Sequence, residues 1–410
     1  GPRPARHPAP VRRNAVSRSL AARLGWLGVL SVASGLPYFF FVETVPVYLA
    51  TRGVGLAQIG LASGASLPWA LKVFWAPLVD RFGKRAGWIR ACLAGLTIAT
   101  ILFGGLNPVA RPLAVGVVLV LFVTLSATQD IAIDAYTIEI TATRELGLAN
   151  SVRIAAYRGA SFISSALLVW LAAWSGWTTA FAAGAGLFAL LTLGTVLLPP
   201  TGGESTAHPS LGEPLVAFLR RNDLWAIALF ALFFKLDISA MEPMTKPFWV
   251  ERGFTLGEIA TLTTFRLLAT IAGATLGGVL ATRIGIFRAL WSMGLVQLLS
   301  SLGYALAAAV GPNKTAITGA ALFENFAAGL GTAAFLAFLM SVCERRYAAT
   351  QYALLTALFA LSRWAVGLGS GFLAERFGFA HYFLLTFFLG LPAYLLLPWI
   401  RNAPQAETTA

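Results

Sequence analysis

Long apolar stretches separated by short polar connections dominate this sequence. A helix needs roughly 17–25 mainly apolar residues to cross a hydrocarbon core of about 30 Å. By that measure we predict twelve transmembrane helices, at residues 24–49, 58–78, 88–106, 113–138, 148–173, 177–198, 224–249, 257–281, 286–308, 315–341, 348–374 and 379–400. Only 11% of the 410 residues are charged, against about 25% in soluble domains. The sequence therefore predicts an all-α integral membrane protein and excludes a water-soluble fold.

The longest connection between these helices divides the chain near its middle. Residues 199–222 contain the run Pro-Pro-Thr-Gly-Gly-Glu-Ser-Thr, which is typical of a polar linker. We therefore predict two six-helix halves, at residues 24–198 and 223–401. They are flanked by two tails, at residues 1–23 and 402–410. The opening Gly1-Pro2 is interpreted as the remnant of a cleaved tag.

Lysine and arginine fall mainly on one side of the predicted helices. With the first tail inside, 18 of the 30 basic residues face the cytoplasm, 5 face the opposite side and 7 lie within helices. The positive-inside rule then places both termini in the cytoplasm. This topology accounts for the net charge of +13, so no nucleic-acid partner is needed.

The two predicted halves begin with similar sequences. Residues 52–59 (Arg-Gly-Val-Gly-Leu-Ala-Gln-Ile) follow the first helix, and residues 252–259 (Arg-Gly-Phe-Thr-Leu-Gly-Glu-Ile) follow the seventh, 200 residues later. Parallel six-helix repeats are the architecture of major facilitator transporters, whose substrate site lies at the membrane midplane between the halves. The repeat therefore indicates a secondary transporter with that fold.

The loop after the second predicted helix resembles the signature that major facilitator transporters carry between helices 2 and 3. The matching residues, which the resemblance implies act in gating, are Asp80, Arg81, Gly83, Lys84 and Arg85. Residues 282–288 echo this loop in the second half. The alternative is a solvated basic turn that only fixes the orientation of the chain.

The first and seventh predicted helices share interruptions by proline. Glu43 precedes Pro46, and Glu242 stands next to Pro243. Proline removes a helical hydrogen bond, and interrupted helices at matching positions of two halves point to a transporter's binding region. Glu43 and Glu242 are thus candidates for the cavity. Equally, both could lie close enough to the periplasmic end to reach water.

Thirteen ionisable residues lie within the predicted helices. They are Glu43, Lys72, Asp130, Asp134, Arg153, Arg158, Lys235, Asp237, Glu242, Lys246, Arg266, Glu324 and Arg363. Each costs roughly 2.5–3.5 kcal/mol at the bilayer centre on insertion scales, so such residues usually face the protein interior and mark substrate or proton routes. Together they predict a polar cavity.

Two roles are open for the acidic residues and two for the basic residues. Asp130 and Asp134 share one face of a helix, and two close carboxylates can serve as proton carriers. Alternatively, they form structural ion pairs with Arg153 or Arg158. The cations Lys72, Arg158, Lys235, Arg266 and Arg363 could bind anionic groups of a substrate or form salt bridges of a gate.

Several segments resemble the AmpG-type muropeptide permeases. They are residues 34–37 (Ser-Gly-Leu-Pro), 71–81 (Leu-Lys-Val-Phe-Trp-Ala-Pro-Leu-Val-Asp-Arg), 127–136 (Ala-Thr-Gln-Asp-Ile-Ala-Ile-Asp-Ala-Tyr), 324–325 (Glu-Asn), 331–340 and 349–355. The resemblance implies a bacterial inner-membrane carrier that imports anhydromuropeptides with the proton gradient. Family motif and membrane-embedded polarity coincide at Lys72, Gln129, Asp130, Asp134, Tyr136, Glu324 and Asn325.

Other functions are compatible with parts of this pattern. Relatives in the wider family include proposed siderophore importers and acetyl-coenzyme A transporters. An intramembrane aspartyl enzyme is remote, because its two carboxylates would come from different helices. No phosphate-binding loop motif and no cluster of metal ligands occurs, so we expect no cofactor and no metal, only the proton as coupling ion, and a monomer in the lipid bilayer.

Overall fold

All regular elements in the described part of the chain are helices. A computed structural model describes residues 20–82, 84–141, 146–199, 224–342 and 348–401. Within these ranges, nine stretches of helix are long and apolar enough to cross a membrane. The prediction of an all-α membrane protein is confirmed. The count of twelve helices and the division into halves stay predictions. Residues 1–19, the second tail and nearly all of the linker lie outside the described residues, whereas residues 20–23 of the predicted first tail belong to the first helix.

The described residues before the linker form nine α-helices. They are α1 (Leu20–Phe39), α2 (Val45–Thr51), α3 (Leu56–Ser63), α4 (Leu67–Leu71), α5 (Ala76–Arg81), α6 (Arg85–Gly105), α7 (Pro112–Ile140), α8 (Leu146–Phe162) and α9 (Leu168–Gly194). Two π-helical turns, Phe40–Thr44 and Ile163–Leu167, join α1 to α2 and α8 to α9.

The described residues after the linker form six. They are α10 (Leu224–Phe233), α11 (Leu236–Glu251), α12 (Leu256–Ile284), α13 (Ile286–Ala309), α14 (Lys314–Ser341) and α15 (Ala348–Ile400). Two of the longest runs contain a glycine with positive φ, Gly176 in α9 (81°) and Gly378 in α15 (73°). These glycines bend the runs at the predicted connections after residues 173 and 374.

The second predicted helix, 58–78, is not continuous. Its residues form α3, α4 and α5, which are joined by the 3₁₀ turns Gly64–Ser66 and Lys72–Phe74. Proline explains the breaks, because Pro68 and Pro77 each stand in the first turn of the next short helix, where a missing N–H costs nothing. The break leaves Lys72 in a turn rather than on a regular helix face.

The first and last parts of the described chain touch through small residues. A Cβ atom added to Gly371 in α15 would lie 1.7 Å from the carbonyl oxygen of Leu56 in α3, so only glycine permits this approach. The main-chain N–H of Ala57 donates to Glu375 Oε2 at 3.1 Å. The start of α3 is therefore capped by a side chain from the far end of the sequence.

Candidate functional site

A cavity of about 180 Å³ lies among helices from both sides of the linker. Six residues predicted as site candidates line it, namely Glu43, Arg158, Glu242, Arg266, Glu324 and Asn325. They come from the first π turn, α8, α11, α12 and α14. The structure thus brings together side chains that are up to 282 residues apart in sequence.

The two π turns hold the cavity wall near Glu43. A π turn shifts the pairing of backbone groups and occurs often at functional sites. Ser164 Oγ, in the second π turn, donates to the carbonyl of Leu36 at 2.9 Å, and Thr44 Oγ1 donates to the carbonyl of Ser164 at 2.5 Å. These two bonds fix the irregular part of the first helix against the irregular part between α8 and α9.

The two proline-flanked glutamates each bind a cation from another helix. Glu43 forms an ion pair with Lys246 of α11, whose Nζ also donates to the Glu43 carbonyl at 3.0 Å. Glu242 pairs with Arg363 Nη2 of α15 at 2.6 Å, and Arg363 Nη1 donates to the Tyr38 hydroxyl at 2.5 Å. Both carboxylates are occupied by the protein's own cations in this conformation.

A second polar group faces the cavity from α12 and α14. Arg266 Nη2 lies 4.0 Å from Glu324 Oε2, and the same oxygen accepts a hydrogen bond from Asn325 Nδ2 at 2.6 Å. Thr270 Oγ1 approaches Asn325 Oδ1 at 3.3 Å. Glu324 is only 3% exposed, so this charge is held almost entirely by protein groups.

The two carboxylates on α7 each form an ion pair with a cation. Asp130 Oδ2 accepts from Lys72 Nζ at 3.1 Å, and Asp130 Oδ1 accepts from Ser34. Asp134 Oδ1 accepts from Arg153 Nη2 at 2.7 Å. Neither carboxylate is among the residues that line the cavity.

Proline also explains the hydrogen bond that Gln129 makes to the first helix. Pro37 has no N–H to donate to the carbonyl of Ala33, four residues earlier. Gln129 Nε2, fully buried in α7, donates to that carbonyl at 3.1 Å. Gln129 therefore repairs the interrupted helix and links α1 to α7.

Two further candidates lie away from the cavity lining. Tyr136 is fully buried, and its hydroxyl donates to the carbonyl of Pro199 at 2.8 Å. Lys235 lies at the break between α10 and α11, where its Nζ donates to Gln297 Oε1 at 2.5 Å and Thr332 Oγ1 at 2.8 Å. Thr332 itself lines the cavity, so Lys235 stands one residue behind the wall.

The predicted gating loop is described in part. Arg85, at the start of α6, forms an ion pair with Glu139 at the end of α7, and Lys84 is exposed. The side chains of Asp80 and Arg81 and the whole of Gly83 lie outside the described set. The loop is therefore tied to α7 through Arg85.

The sequence identifies the charged residues inside the helices but not the side chains that they bind. Lys246 was recognised as an intramembrane cation but not as a site residue, although its repeat-related place near two prolines was a usable signal. Gln297 and Glu139 carried no signal, because a single glutamine or helix-end glutamate is unremarkable in sequence. In the described ranges, no group of three or more potential metal ligands occurs.

Comparison with known proteins identifies a family and several related sequences. The Major Facilitator Superfamily model matches residues 27–366. The chain is 33% identical over 381 residues to the Anhydromuropeptide permease of Escherichia coli (strain K12), covering 90% of this chain and 78% of that one. It is 30% identical over 404 residues to the Putative transporter AmpG 4 of Rickettsia conorii (93% and 97%) and 34% over 397 residues to an uncharacterised protein of Haemophilus influenzae (91% and 93%).

Solved structures share the fold at low sequence identity. A bacterial homologue of the human lysosomal transporter Spinster superposes with a TM-score of 0.76 at 14% identity, covering 95% of this chain and 99% of that one. The nucleoside transporter NupG gives a TM-score of 0.72 at 14% identity, with coverage of 92% and 98%. These likenesses concern the fold alone.

Proposed function

This chain belongs to the Major Facilitator Superfamily, within the family of the anhydromuropeptide permease, and we propose that it imports anhydromuropeptides from the periplasm by proton-coupled alternating access. The observation that carries the proposal is the buried charged cavity, lined by six candidate residues, in a chain 33% identical to a named anhydromuropeptide permease. The protein would act as a carrier and not as an enzyme.

The proposed orientation places the protein in the bacterial inner membrane with both termini in the cytoplasm. The asymmetry of 18 to 5 basic residues supports this orientation. Residues 24–198 and 223–401 would then form the two halves that move against each other. The cavity supports this division, because its lining comes from both sides of the linker.

The cavity offers the partners that a sugar-peptide with carboxylates requires. Arg158 and Arg266 present guanidinium groups, which match a carboxylate with two parallel hydrogen bonds. Asn325 and the hydroxyls of Thr263 and Thr270 supply neutral hydrogen-bonding groups at the same wall. These groups would orient the stem-peptide carboxylates and the sugar amides.

The size of the cavity supports alternating access. Its volume of about 180 Å³ is below the roughly 300–1,000 Å³ of pockets that hold drug-sized ligands. A disaccharide-peptide therefore requires the helices to separate. Lys246 pairs with Glu43 across the linker. Arg363 pairs with Glu242 on the same side of the linker and donates to the Tyr38 hydroxyl across it. We infer that substrate carboxylates compete for these two cations as the gate opens.

Protons are the proposed coupling ions, and Asp130 is the leading candidate for their carrier. Its side chain is 27% exposed and that of its partner Lys72 is 33% exposed, so water reaches the pair. Asp134, Glu43, Glu242 and Glu324 are the other candidates. A carboxylate that exchanges an ion-pair partner for a proton changes charge, which a proton-driven carrier requires.

Uptake into proteoliposomes tests the proposal. We expect a labelled anhydromuropeptide to accumulate when an inward proton gradient is applied and to equilibrate without accumulation when the gradient is collapsed. Accumulation that is the same with and without the gradient would contradict proton coupling. Transport of a ferric siderophore or of acetyl-coenzyme A, with no uptake of the muropeptide, would replace the proposed substrate.

A variant of Asp130 tests the carrier residue. Asp130→Asn keeps the hydrogen bonds of Ser34 and Lys72 within reach but cannot release a proton. We expect loss of gradient-driven accumulation while exchange of substrate between the two sides continues. Glu258→Gln, which alters an exposed surface carboxylate bound to Lys314, serves as the matched control. Intact accumulation by Asp130→Asn would exclude Asp130 as an essential carrier.

A further inference from the structure

A buried polar cluster lies behind the cavity wall, formed by Lys235, Gln297 and Asp237. The three residues are 5%, 1% and 1% exposed. Lys235 precedes α11, Asp237 stands in the first turn of α11, and Gln297 lies in α13. None of the residues of this cluster lines the cavity, and the proposed function leaves Asp237 and Gln297 without a role.

Gln297 connects a buried cation to a buried carboxylate. Its Oε1 accepts from Lys235 Nζ at 2.5 Å, and its Nε2 approaches Asp237 Oδ1 at 3.4 Å. Among the described residues, Lys235 has no carboxylate within 4.0 Å and uses three neutral acceptors, the third being the Ala328 carbonyl at 3.2 Å. The two opposite charges are thus held apart by an amide.

The second oxygen of Asp237 has no hydrogen-bond partner in the described part of the chain. Asp237 Oδ2 is buried and unsatisfied, although a buried carboxylate normally has each oxygen bonded. The groups that act on it electrostatically are Lys235, Glu324 of α14 and the Tyr394 hydroxyl of α15. Of these, only Lys235 is a cation. Gln297 and the main-chain N–H groups of Asp237 and Ile238 also act on the carboxylate, while Oδ2 stays open to a proton.

Two glycines make room for the cluster. A Cβ atom on Gly331 of α14 would lie 2.1 Å from Gln297 Oε1, and one on Gly390 of α15 would lie 3.2 Å from the Cβ atom of Asp237. The packing of α14 and α15 therefore accommodates the polar side chains rather than excluding them.

We propose that Asp237 is a proton-binding residue that controls how strongly the charge of Lys235 acts on an anionic ligand in the cavity. When Asp237 is ionised, the cluster is neutral overall and the carboxylate offsets the ammonium. When a proton from water forms an O–H bond at Oδ2, the cluster carries a net charge of one. Lys235 touches the wall through Thr332, so this positive charge favours an anion on the other side.

Proton binding at Asp237 and anion binding in the cavity affect each other, and this has a consequence for transport. If protonation of Asp237 strengthens anion binding, anion binding strengthens protonation by the same factor. The cluster would therefore couple a proton to an anionic substrate in the second part of the chain, apart from Asp130. The coupling to a substrate rests on the proposed function, whereas the protonation of Asp237 is independent of it.

Infrared difference spectroscopy of the full chain tests the protonation without any substrate. On titration from acidic to alkaline pH, we expect the wild-type protein to lose a protonated-carboxyl band that is missing from Asp237→Asn. Glu258→Gln, at a solvent-exposed carboxyl, should keep that band. Lys235→Met should retain the band to higher pH, because the carboxylate loses its only nearby cation.

The wild-type protein and Lys235→Met keep the test decisive even where Asp237→Asn does not fold. Identical carboxyl bands with the same pH dependence in these two proteins would overturn the proposal, as would an unchanged spectrum in a folded Asp237→Asn. A second measurement uses anhydromuropeptide binding. The affinity of the wild type should increase about 5- to 10-fold on acidification, whereas the affinity of Asp237→Asn should not change with pH. Absence of binding in the wild type would reject the substrate, while the infrared result would still decide the site.

Discussion

The charged residues of α7 and those at α11 lie in stretches of similar apolar character but in different surroundings. Asp130 and Asp134 of α7 have side chains that are 27% and 52% exposed. Lys246 of α11 has a side chain only 4% exposed, and Asp237 is 1% exposed. The α7 pairs can exchange protons and ions with water, whereas Lys246 and Asp237 are enclosed by protein groups. Glu242, also on α11, has a side chain that is 27% exposed and resembles Asp130 in this respect.

This difference separates two uses of intramembrane charge. An exposed ion pair contributes about 0–1 kcal/mol to stability. Breaking a buried pair leaves an uncompensated charge and costs about 3–5 kcal/mol. We therefore assign the pair of Lys246 with Glu43 to holding helices together across the linker, and the α7 charges to exchange with water.

The strongest test of this contrast is Lys246→Met. The substitution leaves the buried Glu43 carboxylate without its ion-pair partner, so we expect a loss of about 3–5 kcal/mol in stability, seen as a large fall of the thermal unfolding midpoint in detergent. The double variant with Glu43→Gln should recover most of the loss, because no charge remains buried. Equal stability of the single variant and the wild type would show that the pair is hydrated.

A smaller effect is expected from Gly331→Ala, which pushes a methyl group toward Gln297 Oε1. Overpacking typically costs about 1–3 kcal/mol, and displacement of Gln297 would also free Lys235 from its bridge to Asp237. Gly319→Ala is the matched control on the same helix, since a Cβ atom there meets nothing within 4 Å. If both variants unfold at the same temperature, the cluster is not tightly packed.

On the α7 side, Lys72→Met should have a modest effect. The ammonium donates one charge-assisted hydrogen bond to a half-buried carboxylate, so we expect a loss of about 1.5 kcal/mol in thermal stability. Because water can solvate Asp130 in its place, the protein should still fold. A loss as large as that of Lys246→Met would remove the distinction between the two regions.

The smallest effect is expected from Arg153→Gln. The Arg153 and Asp134 side chains are 39% and 52% exposed, so their pair should contribute about 0.5 kcal/mol or less. The difference from wild type should shrink further at high salt, which screens exposed charges. A salt-independent loss would mean that the pair is shielded from solvent.

Much of the candidate site was predictable from residue type and position. Glu43 and Glu242 were found through nearby prolines, and Arg158, Arg266, Glu324 and Asn325 through polarity inside apolar helices. All six line one cavity. The pairing of Asp134 with Arg153 was one of two alternatives that the helix-4 spacing left open. The continuity of the second predicted helix was wrong, because the effect of Pro68 and Pro77 was underestimated.

The sequence by itself determined that this protein is helical and lies in a membrane, because an apolar segment in lipid must satisfy its backbone hydrogen bonds internally. It also identified six polar or charged residues that line the cavity. Only the tertiary structure decided that Lys246 binds Glu43, 203 residues away, and that Gln297 separates Lys235 from Asp237. Such partners depend on the rotation and packing of whole helices, which thousands of weak contacts set together and no local pattern records.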